Sequence, residues 1–457
     1  MSRVNAEPET ALIIDTLMDG RGVADAPGKK VFVDGALRGE TVTFRRRRKK
    51  RNFDEAELLE VLEPAPERVE PRCAAFGLCG GCSLQHLSAA EQLNMKQTVM
   101  LDSLQRIGSV VPERILPPIA GSPWGYRRKA RLAVKFVYKK DRVLVGFRER
   151  NKPYVADMDR CETLHPAIGD RLGELSELIG GLSIRDRLPQ IECAVGDNGT
   201  AMIFRVLDAP SDADIVALST WAGMHDIRVF LQTGGLDTIS PLPGHEWPEP
   251  LQYRIPAFDV ALNFVPTDFL QVHAEVNQHM IQQAVDLLAP DSTSSVLDLF
   301  CGLGNFSLPL GRVAGHVLGL ELADDMVARA RSNAHLCGLD NVTFAQADLS
   351  KVDQIKVDLR KVDLRKVDKS KPVAGQFAGR TFDRVLVDPP RTGMAEFLDT
   401  LLELRAERVL YVSCHPGTLA RDAGRLVTEG GYRLVAAGVM DMFPQTSHVE
   451  SMALFQL

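Results

Sequence analysis

The chain has no long apolar run, no apolar leader and no excess of positive charge. Across its 457 residues, no apolar stretch approaches the roughly 20 residues that span a bilayer. The first residues, Met-Ser-Arg-Val, also lack the apolar segment of a secretory signal peptide. A formal net charge of −6 excludes a uniformly basic protein, although nucleic-acid binding depends on where the charges lie. We therefore expect a cytoplasmic protein without a membrane partner, and its length predicts two or three domains.

Disulfide bonds are not expected either, because thiols in the cytoplasm are kept reduced. The eight cysteines therefore indicate metal or catalytic groups where they cluster. Cys73, Cys79 and Cys82 lie close together, and Cys161 lies in a polar loop further along the chain. Four such thiolates suit either a tetrahedral zinc site or a four-iron cluster, and their spacing does not separate the two. The chain lacks a C-x3-C-x2-C triplet, which counts against radical S-adenosylmethionine chemistry.

Residues 3–63 predict a small, OB-like β-barrel. Short β-like runs alternate there with glycines, as in small closed barrels. Residues 45–51 read Arg-Arg-Arg-Arg-Lys-Lys-Arg and are bordered by Phe44 and Phe53. Consecutive cations beside aromatic rings suit the phosphates and bases of RNA. A charged strand that only faces solvent is the alternative interpretation.

Residues 71–266 predict a central α+β region. Ser88 and Glu91 form a capping-box pattern that predicts a helix running to about Ile107. Residues 124–131 then interleave aromatic and cationic side chains before a β-like run. This mixture suits RNA binding, but it is also common on solvent-facing strands.

Residues 267–457 predict a Rossmann-like, doubly wound α/β domain with its site at the carboxyl ends of parallel strands. A predicted strand over 295–300 runs into a glycine loop that lacks the third glycine of the dinucleotide fingerprint, and no G-K-[ST] motif is present. The expected ligand therefore has no phosphates, and S-adenosylmethionine fits that description. Glu321, at the end of the next strand, could accept both ribose hydroxyls, and Asp348 could meet the adenine edge.

Residues 351–370 repeat a Lys-Val-Asp unit every five residues. A five-residue period leaves the valines on no common helical face that could be buried. We expect a surface insertion with no catalytic role.

Cys414 is the candidate nucleophile. It follows an apolar strand, and a neighbouring strand ends in Asp388-Pro-Pro-Arg391, so both segments reach the mouth of the sheet. The adjacent His415 and the strand-end position predict a lowered thiol pKa. Glu450, near the start of the last strand, could return to the same mouth as a base. A structural thiol and a solvent-facing glutamate are the alternatives.

Together these segments resemble the bacterial RNA uracil-C5 methyltransferase family, most closely its TRAM-domain, iron–sulfur branch, over nearly the whole chain. The motifs that carry the resemblance are residues 73–86 (CAAFGLCGGCSLQH), residues 268–272 (DFLQV) and the segments around Asp388, Cys414 and Glu450. The resemblance implies a four-iron, four-sulfur cluster on Cys73, Cys79, Cys82 and Cys161. It also implies S-adenosylmethionine contacts from Gln271, Phe300, Asn305, Glu321, Asp348 and Asp388, with Cys414 as nucleophile and Glu450 as base.

This branch of the family implies methylation of carbon 5 of a uridine in 23S ribosomal RNA, at position 1939. Carbon 5 of uracil is too electron-poor to attack a methyl sulfonium unaided, so a cysteine must first add at carbon 6. We expect a monomer that binds RNA and not DNA. Another ribosomal uridine, the T-loop of transfer RNA, or a non-catalytic, zinc-stabilised RNA-binding role are the alternatives.

Two features of the sequence bear on this resemblance. An N6-adenine methyltransferase is disfavoured, because Arg391 stands where an aromatic side chain would stack on adenine. The chain departs from the family pattern at His273, where asparagine is usual, and at His415.

Overall fold

The computed structural model describes residues 7–26, 28–350 and 381–457. The predicted insertion at 351–370 lies outside the described residues. Among the helices described, none is long and apolar enough to cross a membrane.

The chain begins with a closed five-stranded barrel, in which the strands neighbour each other in the order β1-β2-β3-β5-β4. Buried residues alternate with exposed ones along β3 and the first half of β4, so one side of each strand fills the barrel. The barrel approaches the next region closely at Gly20, whose φ is +80° and where a Cβ would lie 2.2 Å from the Ser83 carbonyl oxygen. The strands are β1 (Glu9–Thr16), β2 (Arg21–Ala24), β3 (Lys30–Asp34), β4 (Thr41–Lys49) and β5 (Phe53–Glu63).

A six-stranded sheet forms the body of the central region, in the order β12-β11-β10-β9-β7-β8. Three helices accompany it, and Leu172, Leu175 and Ile179 of α3 are fully buried. The elements are β7 (Lys129–Val137), β8 (Arg142–Gly146), α2 (Pro166–Gly169), α3 (Leu172–Gly180), β9 (Gln190–Gly196), β10 (Gly199–Arg205), α4 (Asp212–His225), β11 (Ile227–Gln232) and β12 (Ile239–Pro241).

Two elements from the predicted central region pack instead on the C-terminal sheet. They are α1 (Ala89–Arg106), which contacts the last third of the chain, and β6 (Arg114–Ile115), which forms an edge strand there. The helix predicted after Ser88 is confirmed, and the Ser88 hydroxyl accepts a hydrogen bond from the Glu91 N–H at 3.4 Å. The reciprocal half of the predicted capping box is wrong, because the Ser88 N–H donates to the Glu67 carbonyl at 2.9 Å.

The C-terminal sheet has eight strands in the order β17-β16-β15-β18-β19-β21-β20-β6. Strands β15 to β19 are parallel, as predicted, and β21 runs antiparallel between β19 and β20. Its elements, preceded by a hairpin, are β13 (Leu251–Ile255), β14 (Val260–Phe264), α5 (Ala274–Leu288), β15 (Ser295–Leu299), α6 (Ser307–Gly311), β16 (His316–Glu321), α7 (Asp324–Leu336), β17 (Val342–Gln346), β18 (Arg384–Val387), α8 (Ala395–Leu404), β19 (Arg408–Ser413), α9 (Pro416–Thr428), β20 (Arg433–Met440) and β21 (Glu450–Gln456).

The order of the parallel strands creates a crevice between β15 and β18. The chain leaves β15 toward β16 and β17 on one side, then returns to β18 and β19 on the other. In such sheets, ligands bind outside the carboxyl ends of the strands where the order reverses. The loops after β15, β16, β18 and β19 therefore define the candidate site.

Candidate active site

The loop after β15 adopts an unusual backbone conformation at the crevice. Phe300, Gly302 and Gly304 all have positive φ, at +65°, +56° and +91°. Glycine tolerates this region freely, whereas Phe300 is strained there, and such strain persists where the surroundings enforce it, commonly at ligand sites. The predicted glycine loop is therefore present, and β15 ends one residue before Phe300.

Glu321 holds this loop against the end of β16. Its Oε2 accepts a hydrogen bond from the Gly302 N–H at 3.1 Å. Its Oε1 accepts from the N–H groups of Leu322 at 2.8 Å and Ala323 at 3.1 Å. A carboxylate has about four lone-pair positions, so capacity remains for ligand hydroxyls. The predicted ribose contact stays a prediction.

Asn305 and Gln271 share two neighbours, Tyr253 and Asn277. Asn305 and Asn277 form a reciprocal amide pair at 2.9 and 3.0 Å, and the Tyr253 hydroxyl donates to Asn305 Oδ1 at 3.1 Å. Gln271 lines a small cavity together with Tyr253 and Asn277. Although 34 positions separate Gln271 from Asn305 in the chain (305 minus 271), the fold brings both to the same neighbours.

Asp348 and Asp388 lie in the loops that follow β17 and β18. Asp348 Oδ1 accepts hydrogen bonds from the N–H of Ser350 at 3.1 Å and from its hydroxyl at 2.6 Å, so this oxygen is used within its own loop. Burial raises the pKa of Asp388 to about 7. Their predicted contacts with S-adenosylmethionine remain predictions.

Sequence reasoning missed Asp298, which lies inside β15. It is fully buried, and burial raises its pKa to about 7, while the Ser307 hydroxyl donates to its Oδ2. The signal was present, since Asp298 is the one charged residue in the predicted strand 295–300. This hydrogen bond joins the start of α6 to β15.

Cys414 and Glu450 lie beside each other at the mouth of the sheet. The antiparallel register of β19 and β21 pairs Ser413 with Ser451. Cys414 directly follows Ser413, the last residue of β19. Glu450, the first residue of β21, directly precedes Ser451. The negative charges of Glu450 and Asp388 both raise the pKa of the Cys414 thiol.

The prediction of a lowered pKa at Cys414 is wrong for this state. Burial raises the pKa of the thiol first, the charges of Glu450 and Asp388 raise it further, and the cation that opposes them is Arg391. The His415 ring instead caps α9, because its Nδ1 accepts a hydrogen bond from the Thr418 N–H at 3.2 Å. A strand-end position is therefore not sufficient to lower the pKa.

Glu450 is held largely in its protonated form at neutral pH. Burial raises its pKa to about 8, and the neighbouring Asp388 adds to the shift, while Arg391 and Lys96 oppose it. The sequence did not reveal that Arg391 and Lys96 would lie close to Glu450. Arg391 Nη2 donates to His448 Nδ1 at 2.7 Å.

Lys96 forms a buried ion pair with Asp441 at 2.6 Å, and neither residue is more than 5% exposed. The sequence carried a signal for this pair, because Lys96 interrupts a stripe on α1 whose other buried members include Met100 and Leu104. A lysine at such spacing must find a buried partner.

His273, the other departure from the family pattern, also caps a helix. Its Nδ1 accepts from the Val276 N–H at 3.4 Å at the start of α5, and its ring stacks on Tyr126 with centroids 4.9 Å apart. Both departures therefore keep a side-chain acceptor at a helix N-terminus, the property for which asparagine is also favoured.

The fold brings the four predicted cluster ligands together. Cys73, Cys79, Cys82 and Cys161 line one small cavity with Phe76, Phe147 and Met158. Burial raises the pKa of Cys79 to about 11 and that of Cys82 to about 12, and the charge of Cys161 adds to both shifts. Within the described residues, no group of three or more His, Cys, Asp or Glu side chains has the arrangement of a metal-ion site.

The basic run of β4 divides into inward and outward cations. Arg46 is ion-paired with Glu9 at 2.8 Å and Asp54 at 2.9 Å, and its side chain is only 14% exposed. The side chains of Arg47 and Arg48 are 64% and 60% exposed. The run was predicted to suit RNA phosphates, and Arg46 is not available for that role, because alternation along a strand turns its side chain inward.

The exposed cations line a cleft of about 790 Å³ between the barrel and the cysteine region. Arg45, Arg47 and Arg48 form one wall, and Arg150 and Lys152 form the other. Carboxylates including Glu55 and Glu57 also line it, and several of the arginines lie close to them. Its exposed cations suit a nucleic-acid backbone.

Comparison with known proteins relates the whole chain to RNA-modifying enzymes. A family profile described as tRNA (Uracil-5-)-methyltransferase matches residues 252–456. A protein of Alkalilimnicola ehrlichii is 49% identical over 455 residues, 99% of this chain and 98% of its own. A protein of Xanthomonas campestris pv. campestris is 46% identical over 460 residues, 100% and 98% of the two chains. Both relatives are named 23S rRNA (uracil(1939)-C(5))-methyltransferase RlmD.

A solved structure extends this similarity to the fold. The tRNA (uracil-54, C5)-methyltransferase of Pyrococcus abyssi, in complex with S-adenosyl-L-homocysteine, aligns with a TM-score of 0.72. The alignment covers 98% of this chain and 99% of that one, at 22% sequence identity. At this identity the similarity is one of fold.

Proposed function

The chain belongs to the RNA uracil-C5 methyltransferase family, and we propose that it methylates carbon 5 of uridine 1939 in 23S ribosomal RNA. Similarity along the full length of relatives named for that uridine supports the target. The single observation that supports the chemistry is that Cys414, after the end of β19, lies next to Glu450 at the start of β21.

Cys414 acts as the nucleophile. Its thiolate adds to carbon 6 of the uracil ring, and the electron pair of the carbon 5–carbon 6 double bond moves to form an enolate. S-adenosylmethionine, when bound, supplies an electrophilic methyl group to carbon 5. Arg391 favours the thiolate, since its charge opposes the burial that raises the pKa of Cys414.

Glu450 acts as the base. After methyl transfer, carbon 5 carries both a methyl group and a proton. A carboxylate beside the nucleophile can accept that proton, the double bond re-forms, and the bond between sulfur and carbon 6 breaks. The pKa of about 8 places this carboxyl near the working pH, where a general base is most effective.

The loops of the crevice fit S-adenosylmethionine. Gly302 and Gly304, both at positive φ, present no side chains in the loop after β15. The Glu321 carboxylate lies at the end of the next strand. We propose that Gln271, Phe300, Asn305, Glu321, Asp348 and Asp388 line the cofactor.

RNA is bound through the barrel and the cleft beside it. Exposed Arg47 and Arg48 lie on one wall, with Arg150 and Lys152 on the other, and cations at these positions neutralise phosphates with release of counterions. The uridine must leave its stack to reach Cys414, because carbon 6 is inaccessible inside a helix.

The four cysteines would hold a four-iron, four-sulfur cluster. Their common cavity and their thiol chemistry fit such a group, which is bound by four cysteine thiolates. Anaerobically purified protein should show broad visible absorbance and about four irons per chain. A colourless protein with one zinc ion per chain would show that the four cysteines hold zinc instead of this cluster.

The function is tested by mapping 5-methyluridine in ribosomal RNA from cells that lack this protein. Loss of the modification at uridine 1939, restored by the intact gene and not by a Cys414→Ala variant, is expected. Retained modification at that uridine would contradict the target.

A further inference from the structure

A loop of the C-terminal domain directly precedes Glu450, the candidate base of the active site. Residues 441–449, termed here the 441–449 loop, connect β20 to Glu450, the first residue of β21. Groups outside this domain hold the loop in place. The Asp441 N–H donates to the Ile119 carbonyl at 2.8 Å, and the Tyr126 hydroxyl donates to the Pro444 carbonyl at 2.9 Å.

Besides the ion pair of Lys96 with Asp441, a buried amide pair joins α1 to the loop. Gln92 Oε1 accepts from the Gln445 N–H at 2.9 Å, and Gln92 Nε2 donates to Gln445 Oε1 at 3.0 Å. The two residues are 1% and 3% exposed. The same Nε2 also donates to the carbonyls of Leu84 at 3.0 Å and Leu87 at 2.8 Å.

Gln92 therefore joins the 441–449 loop to the segment that follows the cysteines. The N–H groups of Ser83 and Leu84, directly after Cys82, donate to the Gln445 carbonyl at 2.9 and 3.1 Å. Gln445 has a φ of +68°, which a residue with a side chain adopts only when its surroundings enforce it. The N–H, the carbonyl and the side-chain Oε1 of Gln445 thus each bond to Gln92 or to the cysteine segment.

Further hydrogen bonds within the loop involve residues between Gln445 and Glu450. The Thr446 hydroxyl donates to the Phe443 carbonyl at 2.9 Å, and the His448 N–H donates to the Thr446 hydroxyl oxygen at 3.3 Å. His448 then accepts from Arg391, which also acts on Glu450 and Cys414. The loop is a connected chain of contacts between Gln92 and the reacting groups.

We propose that Gln92 is a positioning residue for proton removal by Glu450, and that it acts through Gln445 and the 441–449 loop. This inference rests on the proposed function, because it assigns Glu450 as the base. Removing the amide leaves the Gln445 N–H and three acceptors without their partner, so the strained loop can relax. A shift of about 1 Å at a reacting group can cost on the order of 10²-fold in rate.

The step affected is specific. Formation of the bond between Cys414 and carbon 6 does not need the base, whereas release of the product does. A displaced Glu450 therefore leaves the covalent adduct intact and slows its breakdown. A general loss of folding would instead reduce both steps together and weaken binding of S-adenosylmethionine.

The test compares Gln92→Met with Gln105→Met, a control on the exposed side of the same helix. Adduct formation and breakdown are followed separately in single turnovers on denaturing gels, with a uridine-containing RNA fragment. Gln92→Met should form the adduct at a rate close to that of the unmodified protein and release product at least about tenfold more slowly. Gln105→Met should match the unmodified protein in both steps.

A second variant distinguishes the proposed positioning role of Gln92 from an effect of misfolding. Gln445→Asn tolerates positive φ and keeps the backbone groups of residue 445, but withdraws the side-chain amide from Gln92. It should show the same selective delay. Unchanged product release in both variants would overturn the inference, as would loss of S-adenosylmethionine binding in both, because the amide pair would then serve only the fold.

Glu450→Gln, measured in parallel, separates this inference from the proposed function. If Glu450→Gln accumulates adduct and the two amide variants do not, the base assignment stands and the role of Gln92 is wrong. If Glu450→Gln releases product at the normal rate, the base assignment itself fails.

Discussion

Cys414 and Glu450 flank the end of one antiparallel strand pair. Ser413 pairs with Ser451, so the thiol continues from β19 while the carboxyl group begins β21. Each side chain contributes to the electrostatic environment of the site, and Asp388 raises the pKa of both. The register places the proposed nucleophile and the proposed base at adjacent strand ends, as the addition and elimination steps require.

Replacing Glu450 by glutamine should trap the covalent intermediate. The amide cannot accept the carbon 5 proton, so product formation should fall by about 10²- to 10⁴-fold. A slowly migrating RNA–protein band should persist on denaturing gels. Normal turnover without such a band would assign the base to another group.

Product release should become faster as the pH rises. Glu450 must be ionised to accept a proton, and its pKa is raised to about 8, so the ionised fraction grows through the neutral range and levels off above that value. Arg391 lowers the pKa of Glu450. Arg391→Gln should therefore move the rising limb of the single-turnover profile to higher pH, and Arg391→Lys should largely retain it. A profile that falls between about pH 6 and 8 would contradict this assignment.

Replacing Lys96 by methionine should destabilise the protein. The change leaves Asp441 as an unpaired buried carboxylate, which costs about 3–5 kcal/mol in the free energy of unfolding. Adding Asp441→Asn should recover part of the loss, because it removes the uncompensated charge. Urea unfolding followed by tryptophan fluorescence measures both changes. A cost below about 1 kcal/mol for the single variant would show that the pair is solvent-screened.

Exposed and buried arginines of β4 should behave differently toward RNA. Arg47→Gln and Arg48→Gln should each weaken binding and reduce the slope of log affinity against log salt by roughly 0.7 to 0.9. Arg46 is ion-paired with Glu9 and Asp54, so Arg46→Gln should leave that slope unchanged and destabilise the barrel. Equal salt slopes for all three variants would contradict the division of the run.

Local patterns predicted the parts of the fold that follow from chain periodicity. The parallel strands and their polar ends follow from alternating apolar segments, and for that reason Glu321, Asp388 and Cys414 could be placed at one edge of the sheet. The barrel and the helix after Ser88 were also evident. Domain boundaries and the individual cofactor contacts remain predictions.

Features that depend on distant contacts could not be read in this way. Gln92 and Gln445 are separated by 353 positions, and neither local sequence predicts that the two side chains pair. The pKa of Cys414 depends on burial and on two carboxyl groups from other strands, so its neighbour His415 misled the prediction. The inward position of Arg46 could not be predicted, because a continuous run of cations hides the alternation of the strand.

The central claim is covalent attack by Cys414, and trapping the intermediate tests it most directly. An RNA fragment with 5-fluorouridine at the target position cannot lose a proton from carbon 5, so the methylated adduct should persist. Peptide mapping by mass spectrometry should find the RNA attached to Cys414, and the Cys414→Ala variant should form neither adduct nor 5-methyluridine. Attachment at another residue, or methylation by Cys414→Ala, would contradict the account.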